Sequence, residues 1–312
     1  MVAQIVPILP ETLALAAELL SGGGLVAMPT ETVYGLACDA SNPDAVARLY
    51  EAKGRPRFNP LIAHVASLEM AGNEAVLSQE AQNVANAFWP GPLTLVLPLA
   101  STATVCDLAR AGLDTIGIRY PRHPAAQSLI ATFGGPLVAP SANRSGHVSP
   151  TRAEHVANDL AGQIDLILDG GSCDAGIEST IISFASDRPV LLRPGAIETD
   201  KLSALIDGNL TLHNEDSVIA PGQLKSHYAP NAALRLNADA PEHDEAWLGF
   251  GPSPHHGLNL SPSGDLAEAA AKLFAMLRAL DARFDRIAVA SIPCTGLGEA
   301  INDRLARAAH RD

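Results

Sequence analysis

Lys53, Arg55 and Arg57 fall close together in the run KGRPRFNP, loosened by Gly54 and stiffened by Pro56 and Pro60. No acid lies between Glu51 and Glu69 to neutralise them. A second acid-free stretch runs from Asp114 to Glu154 and carries Arg119, Arg122, Arg144 and Arg152. In a chain with 34 carboxylates, two such stretches read as an anion site, because clustered guanidinium groups grip phosphate or carboxylate in bidentate fashion. Lys53 also has a plain structural reading, as a cation favoured by a helix C-terminus. Short hydroxyl-rich runs accompany the cations: PTETVYG, PSANRSGHVSP and ESTIIS. Together they outline a pocket for a polyanion and a small polar molecule. Asn143 and Ser145 have an ordinary turn reading as well, and His64 reads either as a core histidine or as a ligand contact.

Other chemistries are missing their signatures. SGGGLVAMPT has no following Lys-Ser/Thr pair and is not a P-loop; GFGPSP lacks the third glycine and the helix of a dinucleotide fingerprint. There is no HExxH, GxSxG or EF-hand pattern. Cys38, Cys106, Cys173 and Cys294 stand far apart with no metal-like spacing, and read as reduced, mostly buried thiols of a cytosolic protein.

The elements that would position these residues are short. Residues 11–20 read as a helix stopped by Gly22, Gly23 and Gly24, followed by a strand over 25–28. DAVARLYEAK reads as a helix ending at Gly54. NPLIAHV, LTLVLPL, TIGIRYP, PLVAPSAN, LILDGG and STIISF read as strands, and residues 125–132 and 152–161 as helices. Runs of successive strands mixed with helices predict a mixed α/β sheet, not a strict βαβ series. Ligands in such folds gather at strand ends, where the hydroxyl runs fall. Residues 209–231 are polar and without clean periodicity, and read as a linker between a domain over 1–208 and a smaller one over 232–312. LRLNA, AWLGFG, LNL and RIAVASI, with helices over 265–283 and at the C-terminus, predict a small open α/β, Rossmann-like domain.

At 312 residues and 47% hydrophobic composition, one large and one small domain are expected. A formal net charge of −13 opposes nonspecific grip on nucleic acid. The N-terminus lacks the basic region of a signal peptide, and no apolar run approaches a membrane span, so a soluble protein without stable membrane contact is expected.

MPTETVYGLACDA, KGRPRFNPLIAHV, FWPGPLTLVL, GIRYPRHP, VAPSANRSGHVSPT, GIESTII and LLRPGAI occur in this order and resemble the YrdC-like family. APGQLKSHYAP and GLGEAINDRLARAA resemble its two-domain members, the threonylcarbamoyl-AMP synthases. The resemblance implies a large mixed-sheet domain with a concave cationic pocket. It also implies condensation of L-threonine, bicarbonate or CO2, and ATP into threonylcarbamoyl-adenylate and pyrophosphate, for threonylcarbamoyladenosine in tRNA. By similarity, Lys53 and Arg55 carry the catalysis; Arg55, Asn59, Thr115, Ser141, Asn143, Ser149, Arg193 and Tyr228 hold ATP; Thr32, His64, Arg119 and Ser179 hold threonine. No protein-held metal is implied, since Mg2+ arrives on the nucleotide phosphates. The implied setting is the cytoplasm, with tRNA threonylcarbamoyl-transfer proteins downstream and no direct grip on tRNA. The linker is expected to close over the nucleotide, with Lys225, His227 or Tyr228 reaching the site and excluding water.

Two other classes compete. A YrdC-like RNA-binding module would use the concave cationic face, but the net charge and the lack of aromatics among the arginines oppose it. Another carbamoyl-adenylate former, resembling the YrdC-like module of hydrogenase-maturation proteins, would bring cysteine pairs and an acylphosphatase-like region, and the sequence has neither.

Overall fold

A computed structural model describes residues 3–206, 210–212 and 227–310. In chain order the first part contains β1 (Gln4–Pro7), α1 (Pro10–Ser21), β2 (Val26–Met28), β3 (Gly35–Asp39), α2 (Pro43–Lys53), β4 (Ile62–His64), α3 (Leu68–Glu74) and α4 (Gln79–Phe88). It continues with β5 (Leu93–Pro98), α5 (Asp107–Arg110), β6 (Thr115–Arg119), α6 (Pro124–Phe133), β7 (Leu137–Val138), α7 (Ala153–Leu160) and β8 (Leu166–Asp169). β9 (Thr180–Ser183), β10 (Val190–Arg193), α8 (Thr199–Ser203) and β11 (Thr211–Leu212) complete it.

These strands form one mixed sheet in the order β1-β8-β2-β3-β7-β4-β6-β5-β9-β10-β11. The two-residue period of a strand decides what faces where. On β5, Leu93, Leu95 and Leu97 enter a core shared with Leu49 of α2, Val84 of α4 and Val156 of α7. On the opposite face, α1 and α6 cover β2, β7 and β8 through Leu20, Leu129 and Ile130. The rest of that second face is a small apolar patch of Ile62, Val96, Ile181 and Leu192. β4 and β6 lie parallel with His64 opposite Arg119, so both side chains join this patch. The mixed α/β expectation is met; β3, short and buried along nearly its whole length, offers no alternation and escapes a reading from sequence.

The second part contains β12 (Ala233–Ala238), β13 (Ala246–Gly249), β14 (Leu258–Asn259), α9 (Leu266–Asp281), β15 (Arg286–Ala290) and α10 (Leu297–Ala309). Its sheet is fully parallel, in the order β12-β15-β13-β14. Leu273, Phe274 and Leu277 of α9 and Ile301 and Leu305 of α10 pack on Leu248, Ile287 and Val289. The same core takes in Val33, Val148 and Ile177 from the first part, so the two parts share apolar surface. Arg278 reinforces the junction, donating to Asp159 at 2.6 Å and to the carbonyl of Val148. Of the four free cysteines, Cys38 and Cys173 are buried, Cys106 is half-buried and Cys294 is exposed.

Candidate active site

Helix α2 delivers the first cations. Asn42 caps its start by accepting from the amides of Asp44 and Ala45. Gly54 ends it at φ 59°, a left-handed conformation that glycine adopts without strain. The chain then folds back, and Arg55 donates to the carbonyls of Asn59 (Nε, 3.3 Å) and Pro60 (Nη2, 3.0 Å). Lys53, only 3% exposed, donates Nζ to the carbonyls of Ser141 (2.6 Å) and Asn143 (2.5 Å). It thereby fastens the PSAN loop to the end of α2. Burial, reinforced by the charge of Arg55, lowers the Lys53 ammonium well below its usual pKa, and burial brings Arg55 down to about 10. Among the described residues neither cation has a carboxylate within ion-pair distance. Buried charges without a counter-ion are expensive to maintain, which marks the place as one built for an anion.

A cavity of about 50 Å³ opens on the patch side of the sheet. Arg55, His64, Arg119, Ser141, Ser179, Arg193 and Tyr228 line it, all of them expected site residues. Glu178 and His227 line it too, and the sequence did not single out Glu178. Lys53, Asn59, Asn143, Ser149, Thr115 and Thr32 do not border it. Asn143 supports the loop, donating Nδ2 to the carbonyls of Arg144 and His147. Ser149 donates Oγ to Glu178 Oε1 at 2.5 Å. Thr115 is half-buried at the start of β6, four residues from Arg119 and on the same strand face. Thr32 shares a 2.9 Å hydroxyl contact with Thr30.

Arg119 is not the free cation that its acid-free segment implies. Its Nη2 donates to Glu31 Oε1 at 2.8 Å, and both side chains are almost fully buried. Burial alone would raise the Glu31 carboxyl; Arg119, by charge and hydrogen bond, holds it below its usual pKa. Glu31 is therefore the buried counter-ion of a cavity-lining cation, and the sequence showed only that an acid stands in PTETVYG. His64 donates Nδ1–H to the carbonyl of Ile62 at 3.1 Å, which leaves Nε2 as an acceptor. Burial, helped by Arg119, lowers its pKa to about 3, so the ring is neutral at ordinary pH. Arg193 donates to the carbonyl of Ser179 at 2.9 Å and to its hydroxyl at 3.2 Å, tying β10 to the start of β9.

The linker enters at His227 and Tyr228, 7% and 0% exposed; Lys225 lies outside the described residues. Burial lowers the His227 pKa far below its usual value, and the charges of Arg55, Arg193 and Lys53 lower it further. Among the described residues, several buried polar atoms here have no hydrogen-bond partner: both ends of the Asn59 amide, Asn143 Oδ1, Arg119 Nε, His227 Nδ1 and the Tyr228 hydroxyl. Such orphans are rare in folded proteins and concentrate where ligands bind. Among the described residues no group of three or more His, Cys, Asp or Glu side chains is arranged to hold a metal. No helix among them is long and apolar enough to cross a membrane.

The family model described as "Telomere recombination", which spans Sua5, YciO and YrdC proteins, matches residues 18–195. The model for the threonylcarbamoyl-AMP synthase C-terminal domain matches residues 197–310. A threonylcarbamoyl-AMP synthase of Bacillus subtilis is 42% identical, covering 95% of this chain and 92% of its own. One from Pyrococcus abyssi is 40% identical, covering 94% and 93%. The crystal structure of Pyrococcus abyssi Sua5 complexed with L-threonine has a TM-score of 0.91 at 37% identity, covering 98% of each chain. With both domain models matched in order, the chain belongs to the Sua5/YciO/YrdC family, among its two-domain threonylcarbamoyl-AMP synthases.

Proposed function

We propose that this protein condenses L-threonine, bicarbonate or CO2, and ATP into threonylcarbamoyl-AMP and pyrophosphate, the step that feeds threonylcarbamoyladenosine formation in tRNA. The observation that carries this reading is a buried pair of cations without carboxylate partners among the described residues, Lys53 and Arg55, beside a subsite built from Arg119 and neutral His64. Threonine's amine captures CO2 as a carbamate. A carbamate oxygen then forms a bond to the α-phosphorus, the bond from that phosphorus to the bridging oxygen breaks, and pyrophosphate leaves with the electron pair. Arg55 and Arg193 stabilise charge on the phosphates and on the leaving group, and Lys53 keeps the PSAN loop in place against them. Arg119 faces the threonine carboxylate, and His64 Nε2 accepts from threonine's polar hydrogens. Asn59, Ser141, Asn143, Ser149 and Thr115 belong to the nucleotide side, and Thr32 and Ser179 to the threonine side.

His227 and Tyr228 form the cover. Pockets for drug-sized ligands run from roughly 300 Å³ upward, far more than the cavity beneath these two residues, so the turn that carries them has to swing aside for a nucleotide to enter. Its return excludes water from a carbamate and an acyl-adenylate, both hydrolytically labile. The lining does not fit a protein-held metal, since Glu178 is engaged by Ser149 and Arg304. Mg2+ is therefore proposed only as a companion of the nucleotide phosphates. Transfer to tRNA is assigned to separate downstream proteins in the cytoplasm, in keeping with the net charge of −13. Mass analysis of products from ATP, labelled threonine and bicarbonate tests the reading. An adenylate carrying the threonine label is expected, and AMP formation indifferent to threonine would refute it.

A further inference from the structure

The terminal domain holds a charged side chain with no solvent contact, Arg304 on α10. Arginine is almost never fully buried unless paired, and this one is paired on several sides. Its Nε donates to Glu178 Oε2 at 2.8 Å and its Nη1 to Asp303 Oδ2 at 2.6 Å. Its guanidinium carbon lies 5.2 Å from the centre of the Tyr228 ring. Phe274 of α9 stacks on the same ring at 5.6 Å. The other oxygen of Glu178 accepts from Ser149. Contacts therefore run from Ser149 through Glu178 and Arg304 to Tyr228, and only Arg304 comes from the terminal domain.

The backbone repeats the pattern. His227 donates its amide to the carbonyl of Arg307 on α10 at 3.4 Å, and Ala229 donates to the carbonyl of Gly146 in the catalytic domain at 2.7 Å. Between them Tyr228 sits at φ 62°, a left-handed conformation unfavourable for a bulky residue unless its surroundings impose it. The terminal domain supplies part of those surroundings.

We propose that Arg304 is a positioning residue for the nucleotide half of the site, fixing the Tyr228 ring directly and the Ser149 hydroxyl through Glu178. The terminal domain is then part of the synthase machinery and not an appendage. A planar guanidinium can hold a carboxylate with its edge while an aromatic ring meets its face; a lysine ammonium cannot match both. The assignment rests on the synthase reading of the cavity, so its test needs a readout independent of turnover.

Two full-length variants serve. Arg304→Lys keeps the charge beside Glu178 and loses the planar face. The double variant Glu178→Gln, Arg304→Gln removes both charges, so neither is left buried alone. Each is measured for Tm, threonine affinity, KM for ATP, kcat, and hydrogen exchange at the Ala229 amide. In Arg304→Lys we expect a Tm within a few degrees of wild type, unchanged threonine affinity, KM for ATP raised about tenfold, and faster Ala229 exchange. The double variant should show the same split between ATP and threonine. Wild-type KM for ATP with unchanged exchange in either variant would overturn the proposal. So would loss of ATP and threonine binding in step with Tm, or failure of both variants to fold, since each is the mark of a purely structural role. Ala229 exchange does not depend on the reaction catalysed. Faster exchange in Arg304→Lys from a wild type that forms no adenylate would uphold the positioning role while the synthase reading failed.

Discussion

Arg55 and Arg119 look alike in the sequence and differ in the structure, and the difference predicts how their loss is felt. Arg55 donates to the carbonyls of Asn59 and Pro60 and lies against the Tyr50 hydroxyl, with no carboxylate partner among the described residues. Arg55→Ala should therefore weaken ATP by roughly ten- to a hundredfold, the loss of one charge-assisted contact, while threonine affinity and Tm change little. Arg119 is the counter-ion of buried Glu31, so Arg119→Ala should weaken threonine and also destabilise the fold by about 3–5 kcal/mol. The double variant Glu31→Gln, Arg119→Gln should recover most of that stability but not threonine affinity; calorimetry and urea unfolding read the two effects separately. A Tm as high in Arg119→Ala as in wild type would contradict the pairing. Histidines set a pH dependence. His64 and His155 have folded pKa values of about 3 and about 4, both lowered chiefly by burial, with help from Arg119 and from Arg278 respectively. The unfolded chain takes up these protons near the ordinary histidine value of 6.5, and the folded chain does not until the pH is far lower. Their contribution to stability is therefore neutral above that pH and turns unfavourable as pH falls from it towards about 4. His155→Asn should flatten the decline of the urea midpoint over that window, and an unchanged slope would count against it.

At the scale of elements, the join between the catalytic part and α9 is tighter than any composition reading could reveal. Gly176 sits at φ +68°, and a Cβ there would lie 2.5 Å from the Cα of Ala271 and 2.6 Å from the carbonyl oxygen of Ala270. Gly176→Ala would have to push α9 away and carry Phe274 from Tyr228. Urea unfolding should show a loss of about 1–3 kcal/mol together with a higher KM for ATP. A variant with native stability and kinetics would mean that the contact is slack. Several elements were legible: the glycine stop after α2, the strand in LTLVLPL and the helix over 265–283; that Thr94 and Val96 turn to the site face shows only in the structure. Others were not. β3 is buried along nearly its whole length and carries no period of two, and β10 and β11 are four and two residues long. The site shows the same limit. Cationic runs pointed to Arg55, Arg119 and Lys53, but an acid-free segment says nothing of acids brought in from elsewhere in the chain, which is how Glu31 and Glu178 escaped. The anchoring of Lys53 on carbonyls, away from the cavity, depends on where a loop some ninety residues later folds back, and no local pattern records that.

For the whole molecule, two sheets of different type meet around one linker turn, and His227 and Tyr228 bring that turn to the cavity. In the proposed reaction three substrates join in one displacement at phosphorus, with the chain's cations holding the nucleotide and its cover excluding water. Pyrophosphate release from ATP, followed while threonine and bicarbonate are each omitted in turn, tests it most directly. Release is expected only when L-threonine and bicarbonate are both present, in step with formation of the adenylate. Equal release with no amino acid added would contradict it and leave a plain nucleotide hydrolase.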